Sequence, residues 1–201
     1  MISTTMNTIN SLLQTDTSIL KDKLLTKLAK QSYREGKITL VSGKESNYYI
    51  DGKLTSLDSE GGIIISILFL RMLKPEVTAV GGIVVGACSL ASGASQISYL
   101  LEKPLDVFYI RKEPKGHGTQ KWIEGPLKEK SNIAILEDVV TTGGSSLKAV
   151  EKVKEFGCNV KQVLAIVDRN EGGREAFAQA SLDYSYLFDI SEVIDRAKDP
   201  R

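Results

Sequence analysis

Two adjacent carboxylates, Glu137 and Asp138, stand between an apolar run and a loop of small residues, Thr141-Thr142-Gly143-Gly144-Ser145. Carboxylates accept hydrogen bonds from a sugar diol. Backbone N–H groups at a helix start favour a phosphate, and Thr and Ser hydroxyls donate to phosphate oxygens. The glycines let the backbone approach a ligand closely. An acid pair, then this loop, then a helix therefore suits a phosphorylated sugar held by both its hydroxyls and its phosphate. A plain strand, turn and helix with surface acids has the same outline. The acidic pair at this spacing is what favours the ligand. Neither G-x-x-x-x-G-K-[ST] nor a G-x-G-x-x-G after a predicted strand occurs, so this is not a Walker or dinucleotide loop.

Two further groups carry charge where chemistry needs it. Arg111 to Lys121 packs four basic residues, two glycines, a proline and the only histidine into eleven positions. Such a segment cannot bury itself and reads as a mobile, solvated loop. Arg169 follows an apolar run, and its planar guanidinium is the right partner for a carboxylate. Each has a plainer reading: a charged surface loop, and a salt-bridged arginine at a strand end.

These residues need elements to hold them. Ile133 to Leu136 reads as a buried strand, and Thr and Ser beyond it as the cap of a helix that ends near Phe156 with Gly157 as its stop. Residues 1–16 read as a polar, flexible lead. Ser18 is expected to cap a helix over about 19–35, with Leu20, Leu24 and Leu28 on one face and Gly36 as its stop. Two short strands, 38–41 and 48–51, flank a polar turn. Ser59 is expected to cap a helix over 63–74, ended by Pro75. Strands over 77–85, 105–110, 160–167 and 184–188 alternate with helical stretches, and 190–193 begins a closing helix. That alternation implies an α/β fold, a mostly parallel sheet covered on both faces, with ligands at the carboxyl ends of its strands.

Bulk properties set limits. The chain has 201 residues, 42% hydrophobic and 25% charged, which fits one soluble domain with a real core. A net charge of +1 argues against a dedicated nucleic-acid binder. Cys88 and Cys158 form no metal-type or redox-type spacing, which points weakly to a reducing compartment. The longest apolar run, Ile63 to Leu70, is too short to span a bilayer, and the first residues lack the pattern of a secretory signal. The expected location is the cytoplasm.

Several segments resemble the orotate phosphoribosyltransferases of the type I phosphoribosyltransferase family. LEDVVTTGGSS resembles the motif that binds phosphoribosyl diphosphate (PRPP). ITLVSGKESNYYID resembles the N-terminal hood that covers the flat pyrimidine. GGIVVGACSLASGAS resembles the pyrophosphate loop, and YIRKEPKGHGTQKWIEG the catalytic loop. Asp168-Arg169-Asn170-Glu171-Gly172-Gly173 is similar to the family's DR-x-x-GG segment. The resemblance spans about residues 36–195 and implies one phosphoribosyltransferase domain over 1–201, with a small hood at about 36–58. It implies transfer of the phosphoribosyl group from PRPP to orotate, giving orotidine 5′-monophosphate and pyrophosphate in pyrimidine biosynthesis.

By the same resemblance Lys115, His117 and Asp138 are catalytic. PRPP is bound by Arg111, Lys112, Lys115, His117, Glu137, Asp138, Val139, Val140, Thr141, Thr142, Gly143, Gly144 and Ser145. Orotate is bound by Thr141 and Arg169. Mg²⁺ rides on PRPP with no protein metal cage, and the chain forms a homodimer that shares the 111–121 loop across subunits. No nucleic acid or membrane is expected as a partner. Two departures stand out: Val41 where some members have Lys, and Cys88-Ser89 where Asp or Pro is common. A phosphoribosyltransferase for another base, and a non-catalytic regulator that senses PRPP, are the alternatives.

Overall fold

A computed structural model describes residues 9–39, 45–113 and 122–199. Eight strands and seven principal helices are introduced below in chain order. α1 (Thr17–Lys27) runs into a π-helical turn (Leu28–Ser32), then β1 (Tyr33–Thr39), β2 (Glu45–Ile50), α2 (Gly52–Ser56) and α3 (Ser59–Met72). β3 (Ala79–Ile83), α4 (Gly86–Leu100), β4 (Asp106–Ile110) and the two-residue β5 (Ile123–Glu124) follow. The second half is β6 (Asn132–Val140), α5 (Gly144–Glu155), β7 (Asn159–Asp168), α6 (Gly173–Gln179), β8 (Tyr184–Asp189) and α7 (Ile190–Lys198).

The core is a six-stranded sheet in the order β5-β4-β3-β6-β7-β8. Every neighbouring pair is parallel except β4 with β5, which closes as an antiparallel pair. Alternation along β6 sorts the two faces. Ala134 and Leu136 join a cluster with Leu20 and Leu24 of α1, Ile64 and Leu68 of α3, Leu90 of α4 and Val193 of α7. Ile133 and Ile135 join the opposite cluster, with Ala149 and Val153 of α5 and Phe177 of α6. The parallel sheet covered on both faces is as expected. The hood is present as a separate antiparallel pair, β1 with β2, bulged between Glu35 and Ile38.

Helix starts differ from the expectation in a consistent way. Asp16, not Ser18, caps α1, accepting from the Ser18 N–H at 2.7 Å. Asp58, not Ser59, caps α3, accepting from Gly61 N–H at 2.8 Å. In both places an aspartate stands just upstream of the serine, and its ionised side chain is the better acceptor. The first helix also stops earlier than expected. Tyr33 is extended, and Gly36, expected as the stop, lies inside β1. Residues 9–14, part of the expected flexible lead, are helical, and Arg71 Nη2 donates to the Leu13 and Thr15 carbonyls at 2.9 Å. No helix among the described residues is long and apolar enough to cross a membrane.

Candidate active site

β3, β4, β6 and β7 run parallel, so their carboxyl ends share one edge of the sheet. β6 ends in the acid pair. Asp138 is 8% exposed, and its Oδ1 accepts the Val139 N–H at 3.0 Å. Glu137 accepts from Ser146 Oγ at 3.0 Å. Burial pushes Glu137 up to about 8, the charge of Asp138 adds to the rise, and the Ser146 bond opposes it. A carboxyl raised this far favours its protonated form, in which it can donate as well as accept toward a hydroxyl.

Asp138 sits in a tight frame. A Cβ at Gly86 would lie 2.9 Å from Asp138 Oδ1, so a side chain at the start of α4 would push the Asp138 carboxylate out of place. Lys53, on α2, reaches in from the hood side: its Nζ is 2.6 Å from Asp51 Oδ1 and 3.5 Å from Asp138 Oδ2. Burial pulls the Lys53 ammonium down, but Asp51 and Asp138 outweigh it and hold its pKa above the ordinary value. The sequence reading passed over Lys53. It lies just after the hood strand, in Asp51-Gly52-Lys53, and only the fold brings it to the acids.

Beyond Asp138, Val139 and Val140 complete β6, and Thr141 and Thr142 lead to Gly143. The expected Thr or Ser cap is absent. Gly143 itself is the N-cap of α5, left-handed at φ 78°, with no side chain bonded to the helix N–H groups. The reason is steric: Phe177 Cζ would be 3.1 Å from a Cβ at Gly143, and positive φ favours glycine. Gly144 and Ser145 are exposed in the first turn, while Ser146 is turned inward to Glu137 and is 1% exposed.

The pyrophosphate-loop segment follows β3. It holds a cis peptide between Val84 and Val85, and Ser89 Oγ bonds Ser56 Oγ at 2.9 Å. Arg111 stands at the mouth of the basic loop, where its N–H donates to the Trp122 carbonyl at 2.9 Å and its Nη1 lies 3.2 Å from Glu124 Oε1. Lys112 is exposed. Lys115 and His117 lie outside the described residues, as does Val41.

Arg169 follows β7 and is 6% exposed. Its N–H donates to the Val140 carbonyl at 2.9 Å, which ties it to the strand of the acid pair. Its Nε donates to Tyr48 Oη at 3.2 Å and its Nη2 to Ser46 Oγ at 3.4 Å, both on β2 of the hood. The guanidinium also stacks 4.7 Å from the Tyr48 ring centre. Hood, guanidinium and acid pair are therefore one connected structure.

No family model matches the chain. Curated relatives do. The orotate phosphoribosyltransferase of Synechocystis sp. is 43% identical over 175 residues, 87% of this chain and 88% of that protein. That of Thermosynechococcus vestitus is 44% identical over 175 residues, covering 87% and 93%. The chain belongs to the orotate phosphoribosyltransferase family. It is thus an enzyme that transfers the phosphoribosyl group of PRPP to orotate in pyrimidine biosynthesis. Solved structures agree. The Mycobacterium tuberculosis orotate phosphoribosyltransferase in complex with Fe(III) dicitrate superposes with a TM-score of 0.76 at 30% identity, covering 87% and 98%. The same enzyme in complex with PRPP gives 0.72 at 28% identity over the same shares.

Proposed function

We propose that the edge formed by β3, β4, β6 and β7 performs the transfer with the roles that follow. The observation that carries the assignment is the bridge from Arg169 to Val140. It ties Arg169, to which we assign the orotate carboxylate, to the strand that carries Glu137 and Asp138. Glu137 and Asp138 hold the ribose hydroxyls, and the amides and hydroxyls of Val139 to Ser145 cradle the 5′-phosphate. Arg169 takes the orotate carboxylate under the hood, and Thr141 reaches the base.

As the bond to pyrophosphate stretches, positive charge grows on the ribose and negative charge on the leaving group. Asp138 faces the first. Arg111, Lys112, Lys115 and His117 meet the second. Fixed charges that match this separation lower the barrier because they need no rearrangement when it occurs. Among the described residues no three metal-ligating side chains cluster. Two hard carboxylates fit a hard cation that brings most of its oxygens with the substrate. Mg²⁺ would supply charge neutralisation on the diphosphate, held mainly by the oxygens of PRPP, with Glu137 and Asp138 acting on it through the ribose hydroxyls they bind. The chain acts as a cytoplasmic homodimer of single-domain subunits, with the 111–121 loop serving the neighbouring site. The absorbance of orotate, followed with PRPP and Mg²⁺ and with Lys115→Ala as control, tests this. Orotate-dependent pyrophosphate release, largely lost in the control, is expected. A folded protein that binds PRPP and leaves orotate unchanged would overturn it.

A further inference from the structure

Arg169 already has a carboxylate: Glu171 Oε1 lies 2.9 Å from its Nη2. We propose that Glu171 sets the affinity for orotate and its product, as an internal carboxylate that occupies Arg169 until the carboxylate of orotate exchanges with it. The idea rests on Arg169 being the orotate receptor.

Three features of the geometry support it. A guanidinium binds a carboxylate with two parallel N–H bonds along one edge, and both such edges, Nε with Nη2 and Nη1 with Nη2, include Nη2. Glu171 and the Ser46 hydroxyl share that nitrogen and the Tyr48 hydroxyl holds Nε, so an incoming carboxylate has to displace one of these partners, and Glu171 is the one it can replace charge for charge. The other known contacts of the guanidinium are to neutral atoms, the Tyr48 ring and hydroxyl and the Ser46 hydroxyl. They fix its plane without cancelling its charge. Lastly, the backbone around Glu171 is clamped. Fully buried Asp168 accepts the Asn170 N–H at 2.7 Å and Arg174 Nε at 3.2 Å, and Asn170 Nδ2 donates to Asp189 at 2.7 Å. The side chain of Glu171 keeps 21% of its surface exposed, so it can swing out while its backbone stays.

The consequence is an exchange of like for like. A buried guanidinium with no partner is costly, and two carboxylates on one guanidinium repel. An anionic base replaces Glu171 without leaving Arg169 bare. A neutral base has nothing to offer in the exchange. The anionic product can leave because Glu171 returns.

The experiment is Glu171→Gln, which keeps an oxygen on Nη2 and removes the charge. Steady-state kinetics in both directions and calorimetric binding of orotidine 5′-monophosphate are measured on wild type, Glu171→Gln and Glu171→Asp. In Glu171→Gln the orotate KM and the product Kd should both fall about tenfold, within the usual range of coupling between neighbouring charges. The PRPP KM should stay as in wild type. Uracil, which lacks the carboxylate, should be used no better than before. Glu171→Asp should stay near wild type. An orotate KM that is unchanged or raised in a folded Glu171→Gln enzyme with a normal PRPP KM would overturn the exchange and make Glu171 a strut for Arg169. Wild type that does not turn over orotate would remove the functional assignment itself, and the exchange with it. An orotate KM unaffected by Arg169→Ala would instead remove only the receptor on which the exchange rests.

Discussion

Replacing Glu137 with Gln should make the empty protein more stable in alkali while impairing its PRPP site. The buried carboxyl is held near 8 in the fold, against 4.5 for the free group. Between those values the folded chain holds a proton that the unfolded chain has lost, so stability falls as pH rises. The loss is small near pH 5.5 and grows to a few kcal/mol by pH 8.5, at roughly 1.4 kcal/mol per pH unit. Gln keeps an acceptor for Ser146 Oγ and does not titrate. The stability of Glu137→Gln relative to wild type should therefore improve by about 3 kcal/mol between pH 5.5 and 8.5, less whatever water relieves on ionisation. Urea unfolding of both proteins at several pH values measures this, because groups that do not couple to Glu137 cancel in the difference. Parallel pH profiles would show that Glu137 is not buried as described, and the reasoning would fail. The same variant should lose affinity for PRPP, since a carboxyl that can ionise against the ribose is gone.

Other outcomes follow from the same geometry. Lys115→Ala should lower the rate about ten- to a hundredfold, the range for one charge-assisted contact to a developing charge. Mixing it with Arg169→Ala should restore part of the activity if the basic loop serves the neighbouring subunit. Subunit exchange without recovery would exclude sharing. Gly86→Ala should raise the PRPP KM sharply, because its methyl group would stand 2.9 Å from Asp138 Oδ1. A normal KM in that variant would mean that Asp138 has room the structure does not show.

The sheet and the acid pair were legible in the sequence because each depends on short-range pattern. The run Asn132 to Val140 is strand-like whatever surrounds it, and it delivers Glu137 and Asp138 to its end. Arg169 stood out only through the likeness of its segment to the family's DR-x-x-GG, and its neighbours did not stand out at all. Tyr48, 121 positions away, and Ser46 reach it only through the placing of the hood. Lys53 was missed for the same reason: nothing local marks one lysine among many as the one beside Asp138. The helix caps were misread because two candidate oxygens stood within two residues of each other, and only the charge of Asp16 and Asp58 separated them. The cap of α5 went the other way, to Gly143, because Phe177 from a later helix crowds that position.

A two-stranded ribbon of this size has little stability of its own in water. Here the ribbon is pinned by Arg169, through the Tyr48 ring and the hydroxyls of Tyr48 and Ser46. Whoever retunes this enzyme toward a base without a carboxylate will want to replace that arginine first. The swap would also remove the rivet of the roof. A successful redesign must supply a new flat or cationic partner for Tyr48, or the altered pocket will have its chemistry and lose its cover.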